Sequence, residues 1–185
     1  MIHQDKTQNR KYHFSEYNPE WKNQFINLKN FLQNIFENKA LEIEHVGSTS
    51  IPGMKAKPLI DVLIMVDKIE DFEVEKKLMI DAGYEWCENY IAPNTHIFFK
   101  LGPNGEKLEN IHICQKGSPK AIQFIVMRDY FRTHPKKAKE YSDLKEKNAT
   151  LYPDDYLAYR NAKKKLLDEL EIEANEVKAS HAASI

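Results

Sequence analysis

Residues 44–66 have the sequence EHVGSTSIPGMKAKPLIDVLIMV. The alternation of apolar and polar residues at 41–46 predicts a short strand that ends in the turn formed by residues 47–50. The nearly continuous apolar run at 59–66 predicts a central strand that is buried on both faces. A single carboxylate, Asp61, lies near the start of this strand. The stretch therefore predicts two strands joined by a polar loop.

The rest of the chain divides into a sheet-forming part and a helical part. Apolar residues at helical spacing predict helices at 19–38 and 71–82. Further strands are predicted at 84–90, 95–101 and 108–115. Stretches that begin near a proline and repeat every 3.6 residues predict closing helices at 119–134, 135–150 and 153–173. We expect an α+β fold with a mixed β-sheet, flanking helices and a C-terminal helical half.

The length of 185 residues indicates one domain, which we place at 17–173. We expect residues 1–16 to be a flexible N-terminus and residues 174–185 to be a loose C-terminal tail. The balance of 27 basic and 28 acidic residues gives no global field that would attract nucleic acid or an anionic membrane. Any anion site must therefore be local, and no clear nucleic-acid patch is expected.

The sequence also bears on the cellular compartment. The two cysteines, Cys87 and Cys114, are too few for a disulfide framework, which fits a reducing compartment. No stretch resembles a signal peptide or reaches the roughly 20 apolar residues of a membrane helix. We expect a cytoplasmic protein that does not interact with a membrane, and the sequence does not indicate its oligomeric state.

The loop and the second strand carry residues suited to phosphate chemistry. The Gly47–Ser48 turn offers backbone N–H groups and a hydroxyl to phosphate oxygens, and Asp61 can hold a divalent metal against the same phosphates. Lys57 can add positive charge, although a solvated loop lysine is the simpler alternative. A carboxylate on a buried strand needs a partner, so we expect Asp61 to meet a metal, Lys57 or an arginine.

The whole string from Glu44 to Asp61 resembles the signature of the GrpB family, whose fold is nucleotidyltransferase-like. The resemblance continues through residues 17–21, 110–113 and 128–135 to Tyr159 and Lys163, and it covers residues 17–170. It implies a nucleotide or another phosphorylated small molecule as ligand. The expected phosphate-binding residues are Gly47, Ser48, Ser50, Lys57, Arg128, Arg132, Lys145 and Lys163. For the last four, the alternative is a salt-bridged helix surface.

The sequence departs from active nucleotidyltransferases at the position two residues after Asp61. A second carboxylate is expected there and Leu63 replaces it, while His112 lies on the later strand where a third acid is expected. A two-metal mechanism needs ligands on both ions, and here Asp61 alone remains as catalytic carboxylate. Asp61 predicts a Mg²⁺ or Mn²⁺ site, or a zinc-type site if His112 is a second ligand.

Three functional hypotheses follow. The first is a protein that binds a nucleotide or another phosphorylated ligand, with nucleotidyl transfer left open. The second is a catalytically inactive binding or accessory domain, which Leu63 favours. The third and weakest is single-metal hydrolysis by Asp61 and histidines. For His45 and His112, a hydrogen-bonded structural role is favoured over a role as ligand.

Overall fold

The computed structural model describes residues 13–70 and 72–182, with the backbone alone described for residues 156, 181 and 182. Its sheet is formed by β1 (Glu42–Val46), β2 (Ile60–Val66), β3 (Glu85–Glu88), β4 (Thr95–Leu101) and β5 (Lys107–Gln115). Its helices are α1 (Glu20–Phe36), α2 (Glu73–Asp81), α3 (Pro119–Thr133), α4 (Pro135–Leu151) and α5 (Tyr156–Ala182). Short 3₁₀ turns follow α1 at Glu37–Lys39 and β1 at Ser48–Ser50. The predicted helices and strands are confirmed with small shifts of their ends, except that α5 extends well past the predicted end at residue 173.

The five strands form one mixed sheet in the order β1-β2-β5-β4-β3. Strand β2 pairs with β1 in the antiparallel direction and with β5 in the parallel direction. The two outer strands β4 and β3 continue the sheet as antiparallel neighbours. The apolar run of β2 is buried in the middle of the sheet because strands flank it on both sides, as the sequence predicts. The predicted α+β class with a mixed sheet and flanking helices is thus confirmed.

One face of the sheet packs against α1 and carries the larger part of the core. The residues of α1 that face the sheet are spaced by four or seven positions, which places them on one stripe. These buried residues are Trp21, Leu28, Leu32 and Phe36. They pack with alternate residues of β2 and β5, among them Val62, Ile64 and Ile111. The middle of this face is apolar, while His45 of β1 and Glu109 of β5 lie on the same face at its edge.

The opposite face of the sheet is covered by the helical half. The apolar side chains of β2 on this face, Leu63 and Met65, pack with Cys114 of β5 and with α3. Helices α3, α4 and α5 form a separate apolar cluster with the loop after β1. Because Asp61 and Asn110 lie on this same face at the start of the apolar pairs, the polar loop, the sheet and the helical half meet around them.

The predicted loose tail is wrong up to Ala182, because helix α5 continues to that residue. Its apolar stripe extends past Leu170, since Ala174 is buried and Val177 packs against the same cluster. At the other end, the backbones of Ser15 and Ala56 exchange two hydrogen bonds, so order begins before residue 17. Residues 1–12, which belong to the predicted flexible segment, lie outside the described residues.

Among the described residues, no helix combines the length and the apolar character needed to cross a lipid bilayer. This holds for α5 too, which has 27 residues. Its sequence carries charged residues along its length, for example Lys163, Lys164 and Lys165.

Two leucines on helices provide a matched test of the core. We expect Leu32→Ala to lower the free energy of unfolding by about 2–5 kcal/mol, because Leu32 is fully buried under the sheet and its removal leaves a cavity. We expect Leu157→Ala to change it by less than about 0.5 kcal/mol, since Leu157 is 66% exposed. Urea denaturation measures both values. Equal losses would contradict the packing of α1 on the sheet.

Candidate functional site

The loop between β1 and β2 is packed tightly against the side chain of Asp61. Gly47 has a φ of 71°, and a Cβ atom at this position would lie 2.5 Å from Asp61 Oδ2. Glycine is required here for two reasons, since other residues rarely adopt this φ and any side chain would collide with the carboxylate. The close approach holds the Ser48–Ser50 turn beside the start of β2. The prediction that loop and carboxylate adjoin is confirmed.

The partner of Asp61 differs from the predicted ones. Asn110 of β5 lies opposite Asp61 in the parallel register, and its Nδ2 donates a hydrogen bond of 2.8 Å to Asp61 Oδ1. The ring of His112 follows on the same face, with Nε2 3.5 Å from the same oxygen. Thus an amide and an imidazole, rather than Lys57 or an arginine, contact the carboxylate. Both Asn110 Oδ1 and His112 Nδ1 are buried without a hydrogen-bond partner in the described part of the chain.

Lys145 of α4 reaches the loop from the helical half. Its Nζ donates to Ser48 Oγ at 2.8 Å and to the Lys55 carbonyl at 3.1 Å, and it lies 3.7 Å from Met54 Sδ. The residue is 4% exposed. Burial and, to a smaller extent, nearby Lys163 lower the pKa of Lys145 to about 7, against the opposite effect of the Asp61 carboxylate. The amine is therefore divided between its charged and neutral forms near neutral pH.

Two more lysines near Lys145 contact the ring of a tyrosine, Tyr159. Lys57 Nζ lies 5.7 Å and Lys163 Nζ lies 5.2 Å from the ring centroid of Tyr159, whose side chain is buried. Burial lowers the pKa of Lys163, while Asp61 raises it. A tyrosine ring attracts ammonium groups without neutralising them. We call Lys57, Lys145 and Lys163 the lysine cluster, and together they give this place a positive charge that Asp61 offsets in part.

The other predicted phosphate-binding residues brace the loop. Ser50 donates its hydroxyl hydrogen to the Gly47 carbonyl at 2.7 Å and is 6% exposed. Arg132 donates through Nε and Nη2 to the Ser50 carbonyl at 3.0 and 2.9 Å. Arg128 pairs with Glu44 at 2.5 Å and with Asp129 at 2.8 Å. In this structure Ser50 and Arg132 hydrogen-bond within the loop and Arg128 pairs with β1 and Asp129, and the role of the three residues in binding phosphate stays a prediction.

His45 is held as a structural residue, as its sequence position suggested. Its ring stacks on Phe25 at 4.7 Å, and its Nε2 lies 3.1 Å from Thr49 Oγ1. Since Thr49 donates its own hydrogen to the Leu59 carbonyl, His45 Nε2 must carry the proton of this pair. Burial lowers the pKa of His45 to about 4, so the ring is neutral at pH 7. It supports the loop from the face that carries α1.

The residues around Asp61 do not fit a two-metal centre. Leu63, at the position of the expected second carboxylate, is fully buried and packs with Val46 and Cys114 beneath α3. No group of three or more His, Cys, Asp or Glu residues with metal-binding geometry is found within the described residues. Asp61 and His112 form a pair, and Lys145 and Lys163 interact electrostatically with Asp61. The described residues thus supply no carboxylate at position 63 for a second metal ion.

Sequence reasoning missed two residues of the site. Asn110 could have been found from the parallel pairing of β2 with β5, because that pairing puts Asn110 and His112 on the face of Asp61. Tyr159 could have been found from its spacing of four residues from Lys163 on one helix, which brings the two side chains together. Contacts between segments distant in sequence, such as that of Lys145 with Ser48, carry no such signal.

Two shallow surface grooves lie away from Asp61. The first borders α4, next to Lys145, and is lined by His13, Phe14, Glu146, Ala149 and Thr150. The second lies on the side of α1 and is lined by Gln24, Asn27, Leu28, Phe31, Tyr84, Lys100 and Glu109. Neither groove is lined by the Gly47–Ser48 turn, by Asp61 or by the lysine cluster. We place the candidate site where these three features meet.

The fold and the Gly-Ser turn beside a strand carboxylate define the chain as a protein of the nucleotidyltransferase-like class. The family model described as "GrpB protein" matches residues 11–173. The chain belongs to the GrpB family.

Relatives and a solved structure agree with this assignment. The UPF0157 protein YqkA of Bacillus subtilis is 37% identical over 155 residues, which is 83% of this chain and 44% of that protein. The glutamate-rich protein GrpB of Alkalihalophilus pseudofirmus is 32% identical, with 81% of this chain and 88% of the relative covered. The crystal structure of conserved protein GrpB from Enterococcus faecalis matches with a TM-score of 0.83 and 30% identity, over 90% of this chain and 99% of that one. The chain thus spans less than half of the length of YqkA. It spans most of the length of the other two proteins.

Two glycines with similar backbone angles test the packing of the loop on Asp61. Gly47 and Gly53 have φ values of 71° and 78°, but a Cβ at Gly53 meets nothing within 4 Å. We expect Gly53→Ala to cost about 1–2 kcal/mol of the free energy of unfolding, from backbone strain alone. We expect Gly47→Ala to cost more, because the new methyl group collides with Asp61.

Urea denaturation measures both glycine variants. The double variant Gly47→Ala/Asp61→Ala removes the collision, so we expect it to recover part of the loss. Equal costs at Gly47 and Gly53, with no recovery in the double variant, would show that the loop does not rest on the carboxylate.

Proposed function

We propose that this protein binds a nucleotide or another phosphorylated small molecule at the lysine cluster, whose member Lys145 contacts Ser48. The single observation that carries the proposal is the buried amine of Lys145, whose contacts are all with uncharged groups. The similarity to other GrpB proteins supports the fold on which the site is built.

The contacts of Lys145 leave its charge without a counter-ion. The Ser48 hydroxyl, the Lys55 carbonyl and the Met54 sulfur are neutral, as are the rings of Tyr141 and Phe14 that lie 4.9 and 5.7 Å from Nζ. No carboxylate of the described residues forms an ion pair with this amine. A buried ammonium group is costly unless it is paired. An anionic ligand would supply the missing partner and draw the amine into its charged form.

Phosphate is the anion that suits this arrangement best. The ammonium groups of the lysine cluster act as point charges, a common way to bind phosphate. The Ser48 hydroxyl adds a hydrogen-bonding group next to Lys145. Asp61 would repel the anion, and this repulsion favours a ligand whose phosphate lies on the lysine side while a hydroxyl or amine group faces the carboxylate. A phosphorylated sugar or nucleotide has groups of both kinds.

Binding is favoured over nucleotidyl transfer. Transfer with two metal ions requires carboxylates on both, and Leu63 is enclosed in the apolar layer under α3. The geometry thus supports the binding or accessory hypothesis. For hydrolysis with a single metal ion, the only candidate ligands that lie together among the described residues around Asp61 are Asp61 itself and His112. A Mg²⁺ or Mn²⁺ ion bound at Asp61 stays a prediction, and titration with and without these metals tests it.

Calorimetric titration of two lysine variants of α4 tests the proposal. We expect ATP, GTP or inorganic triphosphate to bind the wild type and to bind Lys145→Met about 10- to 100-fold more weakly, as the loss of a charged hydrogen bond implies. Lys139→Met is the matched control, because Lys139 lies on the same helix, is 74% exposed and pairs with Asp143. It should bind as the wild type does. Failure of every phosphorylated compound to bind the wild type would refute the proposal.

The same titrations on Asp61→Asn separate the lysine cluster from a metal site. Without metal, we expect this variant to bind triphosphate more tightly than the wild type, because a repelling charge is gone. If Asp61 holds Mg²⁺ or Mn²⁺ against the phosphates, adding the metal will tighten binding to the wild type and leave the variant unchanged. Weaker binding by the variant in the absence of metal would contradict the role given to Asp61.

A further inference from the structure

Lys145 has the surroundings of a nucleophilic amine. Its side chain is removed from water, and two other cations, Lys57 and Lys163, lie near it. Desolvation and neighbouring positive charge both favour the neutral amine, which is the form that attacks carbonyl carbon. The Lys55 carbonyl, 3.1 Å from Nζ, holds the amine in place. Ser48, whose hydroxyl accepts a hydrogen bond from the amine, is itself half-buried and thus partly open to solvent.

We propose that Lys145 forms a Schiff base with a phosphorylated aldehyde or ketone whose phosphate group is held by Lys57 and Lys163. The phosphate half rests on the function proposed above, and the covalent bond to Lys145 goes beyond it. The arrangement separates the two tasks, because Lys57 and Lys163 lie together on the Tyr159 ring while Lys145 points to Ser48.

The reaction needs no oxidant and no further reactant. The Nζ lone pair forms a bond to the carbonyl carbon, and the π electrons of the carbonyl move to its oxygen. Both hydrogens of the neutral amine then pass to that oxygen, which leaves as water while the C=N bond forms. The Ser48 hydroxyl, 2.8 Å from Nζ, is placed to carry protons from nitrogen to oxygen.

The reactivity of the amine follows its titration. The charged and titratable groups that act on Lys145 come from the loop, β2, α4 and α5: Lys57, Asp61, Tyr141, Glu146 and Lys163. Burial and the two lysines lower the pKa of Lys145 to about 7, against the opposite effect of Asp61 and Glu146. Lys145 should thus react at pH values at which an exposed lysine is almost wholly protonated.

Pyridoxal phosphate with borohydride tests the proposal on the intact chain, because borohydride reduces a Schiff base to a stable secondary amine. Peptide mass spectrometry then locates the label. We expect Lys145 to be labelled at pH 7 well before the exposed Lys139, and we expect excess inorganic triphosphate to protect it. If the label is found on the exposed Lys139 and not on the buried Lys145, the proposal would be overturned.

A second measurement uses the wild type alone, in case Lys145→Arg does not fold. With pyridoxal, which carries no phosphate anion to raise the pKa, the labelling rate of Lys145 should reach half its maximum near pH 7. A half-maximum at the pH of an ordinary lysine would overturn the proposal. If Lys145→Arg folds, it should no longer be labelled at position 145, whereas Lys139→Arg should still be labelled at Lys145.

Pyridoxal without its phosphate separates this inference from the proposed function. We expect it to label Lys145 more slowly than pyridoxal phosphate does. Equal rates for the two compounds would overturn the phosphate site, although the amine would still be nucleophilic. Binding of triphosphate by calorimetry without any labelling of Lys145 would overturn the Schiff base and leave the phosphate site in place.

Discussion

The close approach of the Gly47 backbone to the Asp61 carboxylate is the constraint around which the candidate site is built. It requires a residue without a side chain at a positive φ, and it holds the loop after β1 beside the start of β2. From that position, Ser48 meets Lys145 of α4, and Ser50 offers its carbonyl to Arg132 of α3. The loop thus joins the sheet to the helical half.

Among the described residues, the charged groups Asp61 and Lys145 of the candidate site do not pair directly with one another. Asp61 is shared between Asn110 and His112 on the sheet, whereas Lys145 is buried among neutral groups on the other side. The fold excludes water from this amine, and this burial lowers its pKa to about 7, which disfavours the charged form. Such an amine can gain an anion or attack a carbonyl group, and both outcomes need the same exclusion of water.

The sequence predicted the elements well because their signals are local. The stripe of α1 and the apolar run of β2 follow from spacing within a few residues, and the Gly47–Ser48 turn with Asp61 formed a recognisable unit. The end of α5 was missed because the polar residues after Ala174 hide a stripe that only packing reveals.

The site was predicted in part. Ser48 and Lys145 do meet, but the sequence could not show that Arg132 is held by the Ser50 carbonyl, or that Arg128 pairs with Glu44, because these contacts join segments more than 80 residues apart.

NMR titration of the Lys145 side chain, in free protein and with inorganic triphosphate, tests the central claim most directly. The account predicts a midpoint near pH 7 in the free protein, where burial lowers the pKa, and a higher midpoint with the anion, because the bound charge stabilises the ammonium form. By linkage, affinity should be highest at low pH and fall as the pH rises above that first midpoint. A midpoint near the ordinary lysine value of 10.5 in the free protein, unchanged by triphosphate, would contradict it.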